Sequence, residues 1–462
     1  MKTLLKILGS TVLILLCTAI ILFSGFFLWS AIPRERPEPQ VLNMGSVFLE
    51  EEADLEAAPP VVEAPPQDTV EAPVEQPEPP AEEPELPTEE VPEEPIVEEP
   101  PVEDPVEEEP VLDHDYYAQM AQAYLDTMTL DEKIWQLMIA TPETLTGQSP
   151  VTIASPWTEE ALDAKPVGGL VYFSSNLLDR QQTIDMLSKT RTYAKTPLFL
   201  AVDEEGGSVS RVGANEAMGT TWFDPAATYG ATGDMGQVYQ VGKTMAAELT
   251  ELGFNLNFAP VADVVTNNKN TEIGNRAYAP LAEDAAPLVA SMVDGLQRGG
   301  MVSCLKHFPG HGSTEADSHE GKSVSTRTLQ QMQHTEWRTF RAGIESGAAF
   351  VMMSHLTNTN LSELPSSLSP EVMGYLRDEL EFDGVIITDS LQMGAIINYY
   401  TSAQAAVMAL TAGADMLLMP NDLQTAFDGI AAAIADGTLT EERINESVLR
   451  ILTVKYQFGI MQ

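Results

Sequence analysis

The segment richest in chemically active side chains runs from Lys306 to His319 and reads KHFPGHGSTEADSH. It contains three of the six histidines of the chain. Its glycines and proline predict a loop whose shape is set by the backbone rather than by a helix. Asp317 lies two residues before His319, so its carboxylate could orient the imidazole and stabilise the charged ring. Such a pair is suited to acid/base catalysis.

The same region could instead bind a metal ion, because imidazole and carboxylate groups are common zinc ligands. The possible ligands are His307, His311, Asp317, His319 and His355. Metal-dependent hydrolases built on barrels usually begin with an H-x-H motif at the end of the first strand. Here the first strand-like run is followed by Thr141 and Pro142, without a histidine. The residues alone leave the metal site open as the rival of acid/base chemistry.

A second candidate is Asp389, which ends the apolar run in the segment GVIITDSL, residues Gly384 to Leu391. Glycoside hydrolysis with retention of configuration requires a carboxylate nucleophile and a separate proton donor. Asp389 could be the nucleophile, and the Asp317–His319 pair could replace the usual second carboxyl group. A helix cap or a turn residue is the alternative role for Asp389.

A third segment, Asp203 to Arg211, reads DEEGGSVSR. Its two glycines are flanked by a carboxylate and a guanidinium, which could bind a sugar because each sugar hydroxyl both donates and accepts hydrogen bonds. We expect the two glycines, Gly206 and Gly207, to let the backbone approach a ligand. A fourth element, GNR, ends at Arg276. Taken alone, this arginine fits a surface or structural role as well as a binding role.

Eight short apolar runs could carry these residues on one framework. The runs are Gln136–Ala140, Gly169–Phe173, Leu198–Val202, Phe254–Ala259, Met301–Leu305, Ala349–Met353, Gly384–Ile387 and Asp415–Met419. Amphipathic stretches lie between them, among them Gln237–Leu252, Asp284–Arg298, Leu329–Ser346 and Ala403–Ala412. Alternating strands and helices predict a parallel sheet, and eight repeats fit a (β/α)8 barrel of the TIM type. A doubly wound open sheet is the alternative.

The polar residues fall where a barrel enzyme carries its chemistry, at the carboxyl ends of strands. Five runs end in such groups: Asp203-Glu204-Glu205, Asp263, Lys306-His307, Ser354-His355 and Thr388-Asp389-Ser390. We therefore expect charged and imidazole groups from five strands to converge on one mouth of the barrel.

The first 112 residues differ in composition from the rest. Ile7 to Ile32 is almost wholly apolar and long enough to span a bilayer, and Trp29-Ser30-Ala31 is a poor cleavage site, so residues 1–36 predict a signal anchor. Between Glu51 and Pro110 there is no Lys or Arg, and Glu and Pro dominate. Residues 37–112 are therefore expected to be a disordered linker. Residues 113–462 remain as one catalytic domain, which we expect outside the cytoplasm on a single-pass anchor in the cell membrane.

Charge and cysteine content exclude two further classes. The chain has a formal net charge of -45, and the part after the linker is still acidic, which argues against binding nucleic acid. Cys17 lies in the apolar run and Cys304 in a predicted strand, so no disulfide framework is expected. Nothing in the sequence indicates an oligomeric state.

Taken together, the motifs resemble those of the β-N-acetylhexosaminidase branch of glycoside hydrolase family 3. The similarity covers about Tyr116 to Phe458 and centres on K-H-F-P-G-H-G…D-S-H, from Lys306 to His319. The D-x-E-G-G-x-x-x-R element matches Asp203 to Arg211, the N-R element matches Asn275-Arg276, and the T-D-S-L element matches Thr388 to Leu391.

The resemblance implies a (β/α)8-type barrel and a retaining mechanism. It implies that Asp389 attacks the anomeric carbon and that His319, held by Asp317, protonates the leaving oxygen and later activates water. It also implies a set of residues that hold the hydroxyls and the acetamido group of the sugar: Asp203, Arg211, Arg276, Lys306 and His307. No metal or organic cofactor is expected.

The chain departs from the family pattern at several positions. Ser313 stands where many members have Asp, which predicts a tuning effect on the loop. Glu204 stands where Gln is common, and Ser208 where Arg is common. These two changes could alter the surroundings of the aglycone.

The expected partner is a carbohydrate that contains N-acetylglucosamine. The anchor suggests peptidoglycan or its muropeptide fragments, and chitin oligomers remain possible. A β-N-acetylglucosaminide phosphorylase in the same fold is the main alternative, since a histidine acid/base lessens repulsion of phosphate. A non-catalytic wall-binding protein is disfavoured, because a pure binder would not need the set Asp317, His319 and Asp389.

Overall fold

The computed structural model describes residues 114–315 and 321–462 of the chain. In this part the strands are numbered in chain order, and eight of them form one parallel sheet: β1 Met138–Ala140, β2 Gly169–Tyr172, β3 Phe199–Val202, β6 Leu256–Asn257, β7 Val302–Phe308, β9 Phe350–Met353, β11 Val385–Thr388 and β12 Leu417–Leu418. Two short pairs lie outside the sheet: the antiparallel hairpin of β4 Glu204–Gly206 with β5 Val209–Ser210, and the parallel pair of β8 Val324–Ser325 with β10 Thr357–Asn358.

The sheet closes into a barrel. Its neighbour order is β11-β9-β7-β6-β3-β2-β1-β12, and the two end strands meet at a parallel bridge between Ile387 and Met416. The amide of Met416 donates to the carbonyl of Ile386 at 3.0 Å, and the amide of Thr388 donates to the carbonyl of Met416 at 3.1 Å. All eight predicted strands are present, and closure rules out the doubly wound alternative.

Helices follow the strands and cover the outside of the barrel. They are α1 His114–Leu125, α2 Leu130–Gln136, α3 Pro142–Thr146, α4 Pro156–Ala164, α5 Arg180–Tyr193, α6 Ala226–Gly230, α7 Met235–Leu252, α8 Ala282–Arg298, α9 Leu329–His334, α10 Glu336–Glu345, α11 Pro370–Asp378, α12 Gly394–Ile397, α13 Ser402–Ala412, α14 Leu423–Asp436 and α15 Glu441–Gln457. The stretch predicted as one helix from Leu329 is two, because Thr335 leaves the helical region at φ -127° and ψ -87°.

Local sequence explains several helix boundaries and contacts. Thr129 and Glu132 form the reciprocal capping box that opens α2. Helices α7 and α8 pack closely because each presents a glycine to the other. A Cβ atom at Gly295 would lie 2.3 Å from the carbonyl oxygen of Tyr239. A larger side chain there would push the two helices apart.

The strands are buried along their whole length, as expected for a parallel sheet covered on both faces. Phe199 and Phe350 meet edge to face at 5.2 Å at the amino-terminal ends of β3 and β9. Lys455 of α15 is buried beside them. Its Nζ donates to Gln136 Oε1 at 2.8 Å and lies 5.0 Å from the centre of the Phe199 ring.

A buried carboxylate supports the seam between β11 and β12. Asp415, just before β12, accepts the amide of Ile386 at 3.0 Å and pairs with Arg377 at 2.5 Å and Arg450 at 3.2 Å. Ser447 of α15 donates to the same carboxylate at 2.7 Å. These contacts tie two helices to the seam, on the side opposite to the carboxyl ends of the strands.

Strand β7 is longer than the sequence predicts. It continues through Lys306 and His307 to Phe308, so the start of the K-H-F-P-G-H-G element is strand rather than loop. No helix within residues 114–315 or 321–462 is both long and apolar enough to cross a bilayer. The predicted anchor and linker, residues 1–36 and 37–112, lie outside the described residues.

Candidate active site

A cavity of about 430 Å³ opens at the carboxyl ends of the barrel strands. This volume lies within the range of roughly 300–1,000 Å³ that is typical of small-molecule sites. Its polar lining residues are Asp203, Glu205, Arg211, Glu272, Arg276, Lys306, His307, Asp389, Ser390 and Gln392. Its apolar lining residues are Val171, Phe173, Val209, Met352, Met393, Leu418 and Met419. The expected convergence of polar groups on one mouth is therefore present.

A buried ionic network occupies one wall of this cavity. Lys306 Nζ lies 2.7 Å from Asp203 Oδ1 and 2.5 Å from Glu205 Oε1. Arg276 donates two hydrogen bonds to Glu205, from Nε to Oε2 at 2.8 Å and from Nη2 to Oε1 at 2.9 Å. This forked geometry is the strongest arrangement available to an arginine and a carboxylate. Two cations and two carboxylates thus hold one another in place.

The network keeps Glu205 and Lys306 ionised although both are buried. Burial alone would raise the pKa of Glu205, but the charges of Lys306 and Arg276 outweigh it and lower that pKa to about 2. Burial alone would lower the pKa of Lys306, but Asp203 and Glu205 outweigh it and raise the pKa above its ordinary value. The wall therefore presents fixed charges at any moderate pH.

Asp263 orients the histidine on this wall. Its Oδ2 accepts from His307 Nδ1 at 2.7 Å and from the amide of His307 at 3.1 Å. Its Oδ1 accepts the amide of His311 at 2.7 Å. A carboxylate oxygen only accepts hydrogen bonds, so Nδ1 of His307 carries a proton. In the neutral ring, Nε2 is then the nitrogen without a proton. One buried carboxylate thus sets both the ring orientation of His307 and the path of the following loop.

Asp389 follows β11 directly and lines the same cavity. Its Oδ1 accepts the amide of Ser390 at 2.7 Å, and its own amide donates to the carbonyl of Met353 at 2.9 Å. His355 supports this turn, because its Nε2 bonds the carbonyl of Ser390 at 2.8 Å. A carbonyl only accepts, so Nε2 is protonated, and Nδ1 bonds the hydroxyl of Ser367 at 2.6 Å.

Arg211 lines the cavity beside Phe173, with its guanidinium carbon 5.8 Å from the ring centre. Its Nε is buried and has no hydrogen-bond partner within the described part of the chain. Glu204 holds the backbone around it, accepting the amides of Arg211 and Val212 at 2.7 Å each and that of Gly213 at 3.2 Å. A donor placed in this way suits a ligand oxygen.

The glycines of the third motif have a different role from the expected one. Gly206 and Gly207 have φ values of 89° and 58°, and they form the turn of the β4–β5 hairpin. A Cβ atom at Gly206 would lie 2.8 Å from the carbonyl oxygen of Asp224, and one at Gly207 would lie 2.8 Å from Pro225 Cγ. They allow contact with this neighbouring segment, and neither lines the cavity.

The proposed acid/base pair, Asp317 and His319, lies outside the described residues. The chain on either side is held together by a hydrogen bond of 2.9 Å between the hydroxyls of Ser313 and Ser325. Ser313 is one of the positions where the sequence departs from the family pattern, and its effect on the loop stays a prediction.

Three of the four histidines of the metal hypothesis, those within the described residues, have other contacts. His307 bonds Asp263, His355 bonds Ser367 and Ser390, and His311 Nε2 lies 3.5 Å from Glu272 Oε2. Residues 114–315 and 321–462 contain no group of three or more His, Cys, Asp or Glu side chains placed to hold a metal ion.

Glu205 and Asp263 belong to the site but were not predicted to be functional from the sequence, although the sequence carries a signal for each. Side chains alternate along an extended strand, so Asp203 and Glu205 face one side while Glu204 faces the other. This alternation predicts that Asp203 and Glu205 face the cavity and that Glu204 faces away from it, as observed. Asp263 was placed at the mouth by its position after a strand, but its contact with the following loop depends on the fold.

A larger cavity of about 620 Å³ lies between α6 and the start of α8. Its ionisable lining residues include only Tyr278, Glu283 and Asp284. The smaller cavity at the strand ends, where opposite charges converge, is therefore the better candidate for chemistry.

A closed (β/α)8 barrel with a polar cavity at the carboxyl ends of its strands places the protein among the barrel enzymes. The chain belongs to glycosyl hydrolase family 3, because the sequence model of that family's N terminal domain matches residues 129–454.

Relatives of the chain point the same way. It is 30% identical over 334 residues to a beta-hexosaminidase A of Pseudoalteromonas piscicida, covering 66% of this chain and 56% of that protein. It is 32% identical over 308 residues to a beta-hexosaminidase of Idiomarina loihiensis, covering 64% of this chain and 88% of that protein.

A similar solved structure is a glycoside hydrolase family 3 beta-N-acetylglucosaminidase from Paenibacillus sp. str. FPU-7. The identity is 34% and the TM-score 0.68, over 72% of this chain and 63% of that one. The chain thus spans little more than half of the Pseudoalteromonas protein and under two thirds of the Paenibacillus protein.

Proposed function

We propose that the protein is a retaining β-N-acetylhexosaminidase that removes terminal N-acetylglucosamine residues. The observation that carries the proposal is the placement of Asp389, at the end of β11, in one cavity with the network of Asp203, Glu205, Arg276 and Lys306. A nucleophilic carboxylate and a wall of hydroxyl-binding groups are what a sugar-cleaving site needs. The names of these relatives, a beta-hexosaminidase and a beta-N-acetylglucosaminidase, are consistent with this substrate class.

In the first step, Asp389 attacks the anomeric carbon and forms a covalent ester with it. The bond from that carbon to the leaving oxygen breaks, and the oxygen takes a proton from His319, whose charged form Asp317 stabilises. The aglycone leaves as an alcohol, and the imidazole is left neutral. No oxidation or reduction is involved.

In the second step, water attacks the anomeric carbon and the bond to Asp389 breaks. The neutral imidazole of His319 takes the proton from the water, which returns both residues to their starting states. Two displacements at one carbon give retention of configuration.

The wall opposite the nucleophile would hold the sugar. Asp203 can accept hydrogen bonds from sugar hydroxyls. Lys306, Arg276 and Arg211 can donate hydrogen bonds to hydroxyl or carbonyl oxygens. His307 can contribute Nε2, because Asp263 engages Nδ1. These groups are already ordered by one another, so binding need not reorganise them.

We further propose that the substrate comes from peptidoglycan and that residues 1–36 anchor the domain on the outer face of the membrane. The support is the apolar run Ile7–Ile32 and the acidic segment that follows it. Protease added to intact spheroplasts should remove the domain and leave a membrane-bound fragment. Protection of the domain in intact cells and its digestion only after lysis would contradict this placement.

The central test is release of p-nitrophenol from its β-N-acetylglucosaminide by the full chain in mild detergent. We expect activity that does not change with EDTA and is lost in the Asp389→Ala variant. The same assay with added phosphate, followed by product analysis, distinguishes hydrolysis from phosphorolysis. Activity lost with EDTA and restored by a divalent metal would favour a metal-dependent hydrolase, and strong phosphate stimulation that yields the sugar 1-phosphate would favour a phosphorylase.

A further inference from the structure

Glu205 is a buried carboxylate of the cavity, and cations of the wall contact both of its oxygens. Its side chain is only 6% exposed, and three charged donor atoms contact its two oxygens. Oε1 is shared by Lys306 Nζ and Arg276 Nη2, and Oε2 accepts from Arg276 Nε. Asp203, by contrast, is 20% exposed and contacts Lys306 through Oδ1. The two carboxylates of this wall therefore have different relations to the cavity.

These contacts make Glu205 unsuitable as an acid or a base. Both of its oxygens contact protein cations, and Lys306 and Arg276 lower its pKa to about 2, so it is ionised at neutral pH. A proton donor in this reaction must instead carry a proton near neutral pH. The carboxylate can still influence the reaction through the two cations that it holds.

We propose that Glu205 is a positioning residue that acts through Lys306 and Arg276: it fixes the direction in which both cations donate to the sugar and keeps Lys306 charged. The inference rests on the proposed function for the identity of the ligand. It extends that function by assigning a role to a residue that does not bind the sugar. One carboxylate thereby couples two binding groups, which come from β7 and from the loop before α8.

The charges around Lys306 show why Glu205 matters to it. Asp203 after β3 and Glu205 in β4 favour the ammonium form, while Arg276 and burial oppose it. Asp389 after β11 shares the cavity, and Cys304 lies two residues away on β7. If Glu205 loses its charge, Asp203 is left as the direct carboxylate partner, and burial together with Arg276 favours the neutral amine.

Two variants separate the effect of the charge of Glu205 from the effect of its side-chain length. Glu205→Gln keeps the shape and removes the charge, whereas Glu205→Asp keeps the charge and shortens the side chain. Glu441→Gln is the matched control, because it neutralises a carboxylate that pairs with another buried lysine, Lys133, at 3.1 Å and does not line the cavity. Each variant is measured as the full chain, with kcat and KM determined across pH and with the thermal midpoint of unfolding.

We expect Glu205→Gln to lower kcat/KM about 100-fold, the loss typical of a binding group displaced by about 1 Å. The loss should lie mainly in KM, because Lys306 and Arg276 bind the sugar before the chemical step. Glu205→Asp should also raise KM but keep Lys306 charged. Glu441→Gln should keep the wild-type KM. A Glu205→Gln enzyme with the wild-type KM, or an equal rise of KM in Glu441→Gln, would overturn the proposal.

A readout without substrate keeps this proposal separate from the proposed function. The ionisation of Lys306 can be followed by the 13Cε chemical shift of labelled lysine, assigned with the Lys306→Arg variant. The signal should titrate at lower pH in Glu205→Gln than in the wild type. Wild-type protein that turns over no N-acetylhexosaminide would refute the function, while an unchanged Lys306 titration would refute the positioning role whether or not turnover is seen.

Discussion

Asp389 and Glu205 are both carboxylates of the same cavity, yet their contacts give them different tasks. Glu205 is bound by three donor atoms of Lys306 and Arg276. Asp389 accepts the amide of Ser390 through Oδ1 and lines the cavity at the end of β11. A nucleophile must approach the reacting carbon, whereas an ion-paired carboxylate is held away from it. At the scale of residues, neighbours rather than residue type decide the role.

Replacing Asp389 by alanine should lower kcat for N-acetylglucosaminides by about 10³-fold or more, the scale of loss seen when a nucleophile is removed. Sodium azide should restore part of the turnover, because the small anion can enter the vacated space. It should form a glycosyl azide of inverted configuration, since only one displacement then occurs. Mass spectrometry and NMR of the product check this.

A retained configuration in the azide product, or wild-type kcat in the alanine variant, would contradict the assignment of Asp389. The isosteric Asp389→Asn variant tests the fold, because it preserves an acceptor for the amide of Ser390. Its thermal midpoint should match that of the wild type.

Asp263→Asn should destabilise the protein by about 2–4 kcal/mol, because each buried donor left without an acceptor costs about 1–3 kcal/mol. The amide group that replaces one oxygen would face an N–H donor from the His307 or the His311 side. Urea unfolding at neutral pH measures the change in the free energy of unfolding. Asp294→Asn on the surface of α8 is the control and should leave stability unchanged. Equal midpoints for both variants would contradict the anchoring role of Asp263.

Among the elements, the β4–β5 hairpin links the barrel to the site. Glu204, which faces away from the cavity, accepts the backbone amides of residues 211–213 and so places Arg211 in the cavity wall. Glu205, which faces the cavity, joins the ionic network. The tight glycine turn lets the hairpin lie against the segment Phe223–Pro225. One short hairpin thus contributes Glu205, Val209 and Arg211 to the lining.

The Glu204→Gln substitution should change the pH dependence of stability. Burial, the largest influence, raises the pKa of Glu204 above its ordinary value of 4.5, and hydrogen bonds from Ser210 and the backbone only partly offset it. A raised carboxyl pKa contributes stability that is fully present below pH 4.5 and is lost as pH rises through the folded-state pKa.

The wild type should therefore lose stability relative to Glu204→Gln as pH rises from 4.5 towards neutrality. Urea unfolding of both proteins at a series of pH values measures this difference. A difference that stays constant with pH, or one that changes in the opposite direction, would show that the hydrogen bonds outweigh burial.

For the molecule as a whole, the barrel separates function from stability along its axis. The cavity and its charges lie at the carboxyl ends of the strands. Lys455, with Gln136 and Phe199, lies at the other end. Burial lowers the pKa of Lys455 to about 7. This buried amine is far from the proposed chemistry, so it bears on folding rather than on catalysis.

Lys455→Met should flatten the rise of stability with pH. A lysine with a folded-state pKa of about 7 and an ordinary value of 10.5 destabilises the fold fully below pH 7, and this effect fades as pH rises to 10.5. Between pH 8 and pH 10 the wild type should gain on the variant by roughly 1.4 kcal/mol per pH unit. Parallel stability curves for the two proteins would contradict the neutral state of this amine; turnover at pH 7 should be similar in both.

Periodicity and residue type were enough to predict the eight barrel strands and the family, since buried parallel strands and the K-H-F-P-G-H-G pattern are local features of the chain. They also placed Asp203, Lys306, His307 and Asp389 at one mouth, because the carboxyl ends of parallel strands meet there. Arg276 was assigned to the sugar only through the family resemblance. The tertiary structure decided what local pattern cannot contain. It decided that Glu205 binds two cations from distant segments, that Asp263 orients His307, and that Gly206 and Gly207 pack against protein rather than ligand. These are contacts between residues far apart in the chain, and only closure of the barrel brings them within hydrogen-bonding distance.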